Sequence, residues 1–323
     1  MTRLLALLLT LVAFGARVMA VHAQDYPQRT VTFVCPFPAG GGTDILTRML
    51  ASELQDKLKQ TVIVENRVGG GTVLAAQTVA RSAPDGHALL LAPVTTLAIN
   101  PAVFKLLPYD PMKDFAPVGL VGAAEFALVA NPSLGAKTLP ELIDVIKKRP
   151  GALSYGSSGA GTPHHLFMAM FLKMIGGSAQ HVPYRGSVPA LTDVITGQIQ
   201  FMMIDLAVAI PMIKEGKLIA YGVTAPARVK AMPELPTIAE AGLPGYAGTG
   251  WFSVVARAGT PRTTIDKLNQ ILTAYIQRPD AQDKLTAFAI APRTSTPDEL
   301  ERFLGTEITK WAQVVKDAGI VPE

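Results

Sequence analysis

Residues 33–60 read FVCPFPAGGGTDILTRMLASELQDKLKQ, and the rest of the chain is read outward from them. The apolar run Val31 to Phe37 is a buried strand that Pro36 and Pro38 bring to an end, because proline cannot donate to a strand ladder. Gly40, Gly41 and Gly42 follow, and Thr43 or Asp44 is suited to cap a helix. Ile45, Leu46, Met49, Leu50, Leu54 and Leu58 then recur at helical spacing, which gives the helix one face to bury on a sheet. A helix N-terminus presented by glycines offers unpaired backbone N–H groups and the positive end of the helix dipole. It can therefore hold an anion without a cationic side chain. The same pattern also serves as a bare strand-to-helix connection, which α/β units need in any case.

The unit repeats. Thr61 to Glu65 is a second strand, Asn66 to Gly71 a second glycine loop, and Thr72 opens an alanine-rich helix to about Arg81. A third strand, Ala88 to Ala92, is followed by Thr95, Thr96 and Asn100, where open α/β sheets place their ligands. Pro101 to Pro117 reads as loop, Val118 to Val121 as a strand, and Glu125 to Ala130 as an extended crossing segment. A helix over 141–148 and a strand over 153–155 lead to a third loop, Gly156-Ser157-Ser158-Gly159-Ala160-Gly161-Thr162, with Pro163 suited to the first helical position. Strands through 182–184, 199–204 and 218–223 alternate with helices over 188–196 and 207–214. Trp251 to Ala256 crosses back, and helices over 263–276 and 297–318 close the chain. The expected fold is α/β, with residues 24–126 and 252–323 in one lobe and 127–251 in the other. Two crossings would form a hinge, and glycine loops from both lobes would line the cleft.

Apolar residues make up 49% of the 323 and charged residues 17%, enough for large cores and too apolar for disorder. The start, MTRLLALLLTLVAFGARVMAVHAQ, has a basic n-region, an apolar stretch too short to span a bilayer, and a small-x-small site at Val21-His22-Ala23. Residues 1–23 are therefore expected to be a cleaved signal peptide and the mature protein to be exported to the periplasm. Cleavage removes Arg3 and Arg17 and leaves 27 basic against 25 acidic residues, a net charge of +2 that gives no reason to expect nucleic acid. Cys35 is the lone cysteine, lies inside the first strand, and reads as a small buried apolar residue.

Enzyme signatures fail on inspection. A dinucleotide fingerprint needs a third glycine where Ile45 and Leu74 stand, and no loop carries the Gly-Lys-Ser/Thr ending of a phosphate-binding loop. A nucleophile elbow is interrupted by Ala160, and no acid lies between Ser158 and His181. His164 and His165 are adjacent and the cysteine is distant, so no metal spacing exists and no cofactor is expected. Among single residues, Asp205 either faces the cleft or caps the next helix. Arg185 either pairs with a ligand carboxylate, or is a surface arginine or one paired with Asp193 or Asp205. His165 sits in a helix first turn, where packing or capping is as natural as ligand contact. Phe37 and Trp251-Phe252 are either pocket wall or core.

Larger matching pieces are YPQRTVTFVCPFPAGGGTD, VIVENRVGGGTVLAAQTVARSAPDG, SYGSSGAGTPHHL, HVPYRGSVPALTDVITGQIQFMMID, MPELPTIAEAGLPGY and GWFSVVARAGTP. Together they resemble the Bug/TctC family, the extracytoplasmic substrate-binding proteins of tripartite tricarboxylate transporters, over essentially the whole mature chain. The resemblance implies a type II periplasmic-binding-protein fold, capture of a carboxylate between two lobes, and delivery to a membrane permease by a monomer. Carried over residue by residue, it points to Phe37, Ala39, Gly42, Thr43 and Asp44 on one lobe. On the other it points to Ser157, Ser158, Gly161, Thr162, His165 and Asp205, with Arg185 where the family often has Lys. Thr72 stands where the family's second loop often has a glycine. Candidate ligands are tricarboxylates, aliphatic dicarboxylates, acidic amino acids and aromatic acids. The scarcity of cationic side chains favours a dicarboxylate, with aromatic ones such as phthalate and terephthalate included. A receptor read by a sensor kinase and an exported hydrolase using Ser158 are the alternatives.

Overall fold

The computed structural model describes residues 26–40 and 42–322, so the expected signal peptide and Gly41 lie outside the described residues. β1 (Val31–Cys35), β2 (Val62–Asn66) and β3 (Ala88–Pro93) pair in parallel, with β1 in the middle. The connections are α1 (Gly42–Leu58) and α2 (Val73–Ala80). β1 and β3 are buried almost throughout, as near-continuous apolar strands covered on both faces must be. Leu46, Leu50, Leu54 and Leu58 of α1 are buried as the spacing predicts, whereas Ile45 and Met49 are half-buried at the edge of that face.

A short helix, α3 (Asn100–Val103), precedes β4 (Phe115–Ala124), a far longer strand than the sequence indicates. Pro117 conceals the extension, because a proline inside a strand argues against one. The ladder accommodates it at a register shift, where Val255 of the neighbouring strand faces Pro117. After Glu125 the chain enters the second sheet with β5 (Phe126–Ala130). Next come α4 (Leu139–Lys148), β6 (Ser154–Ser157), α5 (Pro163–Ile175), β7 (Gln180–Pro183) and α6 (Ser187–Thr196). β8 (Phe201–Asp205), α7 (Leu206–Lys214) and β9 (Ile219–Val223) complete that lobe. Its strand order is β7-β6-β8-β5-β9.

Residues 224–249 lead back to β10 (Gly250–Arg257), which joins the first sheet antiparallel between β3 and β4. Then follow α8 (Arg262–Ile276), α9 (Pro279–Ala287), β11 (Ile290–Ala291) and α10 (Pro297–Asp317), and the first sheet runs β11-β4-β10-β3-β1-β2. Phe126, expected in the first lobe, therefore opens the second sheet. Trp251, expected in the second lobe, pairs with Ala123 of the first. α9 escapes the sequence pattern because it buries only Ala281 and Leu285.

α10 starts at a capping box, Thr296 with Glu299, and ties the lobes together. Trp311 is fully buried and stacks at 5.4 Å on Phe167 of α5, while Glu307 accepts from the indole N–H of both Trp251 and Trp311. The apolar cluster around it is continuous from one lobe into the other.

Candidate ligand-binding site

The carboxyl ends of both sheets face a shared cavity of about 760 Å³, the size of a small-molecule site. Residues at the starts of α1, α2, α5, α6 and α7 all line it. The N-cap residues of α2, α5, α6 and α7 (Thr72, Thr162, Gly186 and Asp205) make no side-chain capping bond. First-turn N–H groups that no side chain has claimed thus border one space, and the dipoles of these helices favour negative charge there. The walls are otherwise apolar, with Phe37 and Val68 on one side, Val188 on the other, and Trp251, Phe252 and Phe288 at the back. No lysine or arginine lines the cavity among the described residues.

The first loop is held from behind. Asn66 Nδ2 donates to the Phe37 carbonyl at 2.9 Å and to Asp44 Oδ1 at 2.8 Å, while Asp44 Oδ2 accepts from Gly40 N–H and Arg48 Nε, each at 2.9 Å. Burial opposes the charge of Asp44, but the hydrogen bonds from Arg48, Gly40 and Asn66 outweigh it and bring the carboxyl down to about 2. Asp44 is buried and does not line the cavity; it shapes the loop that does. Phe37, Ala39, Gly42 and Thr43 line it as expected, with Thr43 and Asp44 inside the first turn of α1 rather than capping it.

The second loop runs through positive φ at Gly69, Gly70, Gly71 and also Thr72, where φ is 79°. A β-branched residue is strained there. Thr72 is held by its hydroxyl, which accepts from Thr96 Oγ1 at 2.7 Å, and Asn100 Nδ2 donates to the Gly71 carbonyl at 2.9 Å. Thr96 and Asn100, placed by sequence at the ligand end of β3, are thus buried props of this loop, and only Thr95 reaches the cavity.

In the third loop the two serines part company. Ser157 is buried, 2.6 Å from His181 Nε2, and accepts from Gly159 N–H. His165 turns the same way: its Nδ1 accepts from Gly161 N–H at 3.1 Å and its ring stacks on His181 with centroids 3.8 Å apart. Burial, and then the neighbouring His181, push His165 down to about 4, so it is neutral, as an accepting Nδ1 requires. Gly161, at φ 70°, packs where Val103 of the first lobe would meet an added Cβ at 3.2 Å. Ser157, Gly161 and His165 therefore support the loop and do not line the cavity.

Ser158 and Thr162 do line it. Ser158 Oγ lies 2.8 Å from His164 Nδ1, and His164 Nε2 lies 2.9 Å from Asp205 Oδ2. Desolvation opposes the Asp205 charge, but the attraction of His164 and its hydrogen bond prevail, so the carboxyl sits below its ordinary range. Asp205 faces the cavity as the N-cap of α7 with its side chain committed to His164. Arg185 is exposed and outside the lining. Tyr184 turns inward to Asp193, and Gly186, at φ 122°, swings the chain into α6.

Two ionisable lining residues, His164 and Glu125, escaped the sequence reading. His164 was hidden beside His165, and nothing in the doublet says which ring turns to the cleft. Glu125 sits at the crossing between the sheets: its N–H donates to Ala289 of the first lobe, and its carbonyl accepts from Leu206 of the second. Its carboxyl is buried with Oε2 unpartnered, and burial pushes it up to about 7 against the charge of Arg293. An acid within a long apolar run was the available clue.

Two mixed α/β lobes closing on a cleft lined by helix N-termini define a solute-binding protein of the periplasmic-binding-protein class. The chain belongs to the tripartite tricarboxylate transporter family receptors (TctC), whose model matches residues 46–320. It is 35% identical over 320 residues to Protein BugT of Bordetella pertussis, covering 99% of this chain and 98% of that one. A solved R. palustris protein with adipate superposes with a TM-score of 0.83 at 34% identity, covering 93% of this chain and 100% of that one. MatC of Rhodopseudomonas palustris with bound malate gives 0.77 at 33% identity, covering 90% and 100%. Receptors of this family bind substrates rather than transform them. The Ser158–His164–Asp205 chain is accordingly part of a binding site, and it also differs from a hydrolase triad in placing serine on Nδ1 and the acid on Nε2.

Proposed function

We propose that this protein captures a small dicarboxylate with an apolar body between its lobes and hands it to the membrane permease of a tripartite transporter. The observation that carries this reading is the meeting, in one apolar cavity, of helix starts whose N–H groups lack side-chain caps. Such N–H groups hold carboxylate oxygens without burying a counter-charge. A cavity lined without lysine or arginine suits two carboxylates better than three. Adipate and malate in two relatives are of the favoured class, and the aromatic walls suit an aromatic dicarboxylate such as terephthalate as well. Phe37, Ala39, Gly42 and Thr43 hold one end of the ligand and Ser158, Thr162 and His164 the other, with Asp205 orienting the His164 ring. The hinge lies at Glu125 and in residues 224–249. A signal peptide over residues 1–23 places the mature monomer in the periplasm.

The chain has two tryptophans, and Trp251 lines the cavity while Trp311 lies in the core. A fluorescence titration with adipate, malate, terephthalate and citrate tests the reading. Saturable quenching by a dicarboxylate that disappears in Trp251→Phe is expected; a response to none of the four contradicts it.

A further inference from the structure

We propose that Glu125 selects the ligand by accepting a hydrogen bond from an O–H or N–H group carried on the ligand's body between its two carboxylates. The inference rests on the reading of the cavity as a dicarboxylate site and names the substituent that the dicarboxylate bears. Three ionisable side chains line the cavity among the described residues: Glu125, His164 and Asp205. His164 and Asp205 hold each other at 2.9 Å, and Ser158 takes the second nitrogen of the ring. Glu125 has no such partner. It is 6% exposed, and its Oε2 is enclosed without a hydrogen bond among the described residues. Arg293 attracts the carboxyl without bonding to it; that arginine is exposed and lines a smaller cavity of about 320 Å³, on which Glu125 also borders.

The backbone keeps the carboxyl in place. The Glu125 N–H donates to the Ala289 carbonyl at 3.3 Å and its own carbonyl accepts from Leu206 N–H at 2.8 Å, one bond to each lobe. A buried acceptor left unpaired is costly, and a ligand that brings a donor removes that cost on binding. Position decides which part of the ligand meets it. The helix starts that suit carboxylates belong to α1 and α2 in one lobe and to α5, α6 and α7 in the other, whereas Glu125 stands at the β4–β5 crossing between the lobes. A ligand gripped at both ends therefore lays its middle against Glu125. A ligand carboxylate is poorly matched there, beside an acid and with no lysine or arginine lining the cavity, while a hydroxyl or an ammonium is well matched. A carboxyl keeps an acceptor oxygen whether or not it carries a proton, so the contact stands in either protonation state.

Titration calorimetry with matched series tests this: succinate against malate and aspartate, adipate against hydroxyadipate and aminoadipate, terephthalate against hydroxyterephthalate and aminoterephthalate. In at least one series a donor-bearing member binds about tenfold to a hundredfold more tightly than its parent. In Glu125→Leu, which offers no acceptor, parent and derivative bind alike. Glu125→Gln separates the two donors, because it keeps an acceptor oxygen for a hydroxyl but loses the charge that favours an ammonium. The wild-type protein also answers without a variant: the side-chain carboxyl carbon of Glu125, followed by NMR, shifts further on saturation with the preferred member than with its parent. Parents that bind as tightly as their derivatives in every series, a preference that persists in Glu125→Leu, or equal shifts of the Glu125 carbon overturn the inference and leave the dicarboxylate reading standing. Absence of binding by every member of the three series overturns both.

Discussion

Asp205 caps α7 by position but gives its carboxylate to His164, 2.9 Å away on α5, so one side chain fixes the ring that fixes Ser158. Because Asp205 makes no capping bond, Asp205→Asn removes the charge without uncapping the helix. A hydrogen bond to a charged group is worth about 1.5–3 kcal/mol and this one is made in the unliganded fold, so the unliganded melting temperature falls, and affinity for a dicarboxylate falls with it as the ring that holds Ser158 loses its orientation. Titration calorimetry and circular dichroism check the two halves. Unchanged affinity contradicts the assigned role.

Glu125, at the crossing between the two sheets, is a pH-sensitive group. Burial raises its carboxyl in the folded chain from an ordinary 4.5 to about 7, so the folded state prefers it protonated. The stability this gives is complete below about 4.5 and is lost as pH rises through about 7. Glu125→Gln therefore matches wild type in acid and is more stable above neutrality, by up to about 3 kcal/mol at 1.36 kcal/mol per unit. Urea unfolding at acid and alkaline pH measures the difference; equal stability in alkali means that the carboxyl is not desolvated as described.

Thr72→Val keeps the shape and the strained backbone but deletes the hydroxyl that Thr96 donates to. Leaving that buried donor unpaired costs about 1–3 kcal/mol, which denaturant unfolding resolves. Thr72→Gly, which relieves the backbone, costs less. Wild-type stability in Thr72→Val would show that the Thr96 contact does not hold the loop.

Thr43 and Thr162 face each other's lobe across the cavity at the starts of α1 and α5. Neither is fully buried, so leucine at either position fits the unliganded fold. It obstructs the cleft, and dicarboxylate affinity drops at least tenfold at each. Retained affinity in both variants places the ligand elsewhere.

The glycine loops and apolar strands were legible because each is local: a strand run, a turn residue and a helical period within about thirty positions. That sufficed for two α/β lobes and the crossings near Glu125 and Trp251, whereas the expected positions that line the cavity, among them Phe37, Thr43, Ser158 and Asp205, were carried over from the family resemblance. What the sequence withheld depends on side-chain direction. Ser157 and Ser158, or His164 and His165, are adjacent in sequence yet turn to opposite sides of one loop, and only their partners, His181 and Asp205, decide which way. Asp44, carried over from the family resemblance, and Asn100, just past a strand end, were expected near the ligand, but each instead satisfies a backbone group of a glycine loop.

The most direct measurement is a thermal-shift screen of the mature protein against di- and tricarboxylates with uncharged analogues as controls. A dicarboxylate present at about 100 times its dissociation constant stabilises the folded state by about 2.7 kcal/mol, a shift of several degrees. The account predicts such a shift for at least one dicarboxylate and a smaller one for citrate. No shift with any carboxylate, or a larger shift with citrate than with every dicarboxylate, contradicts it.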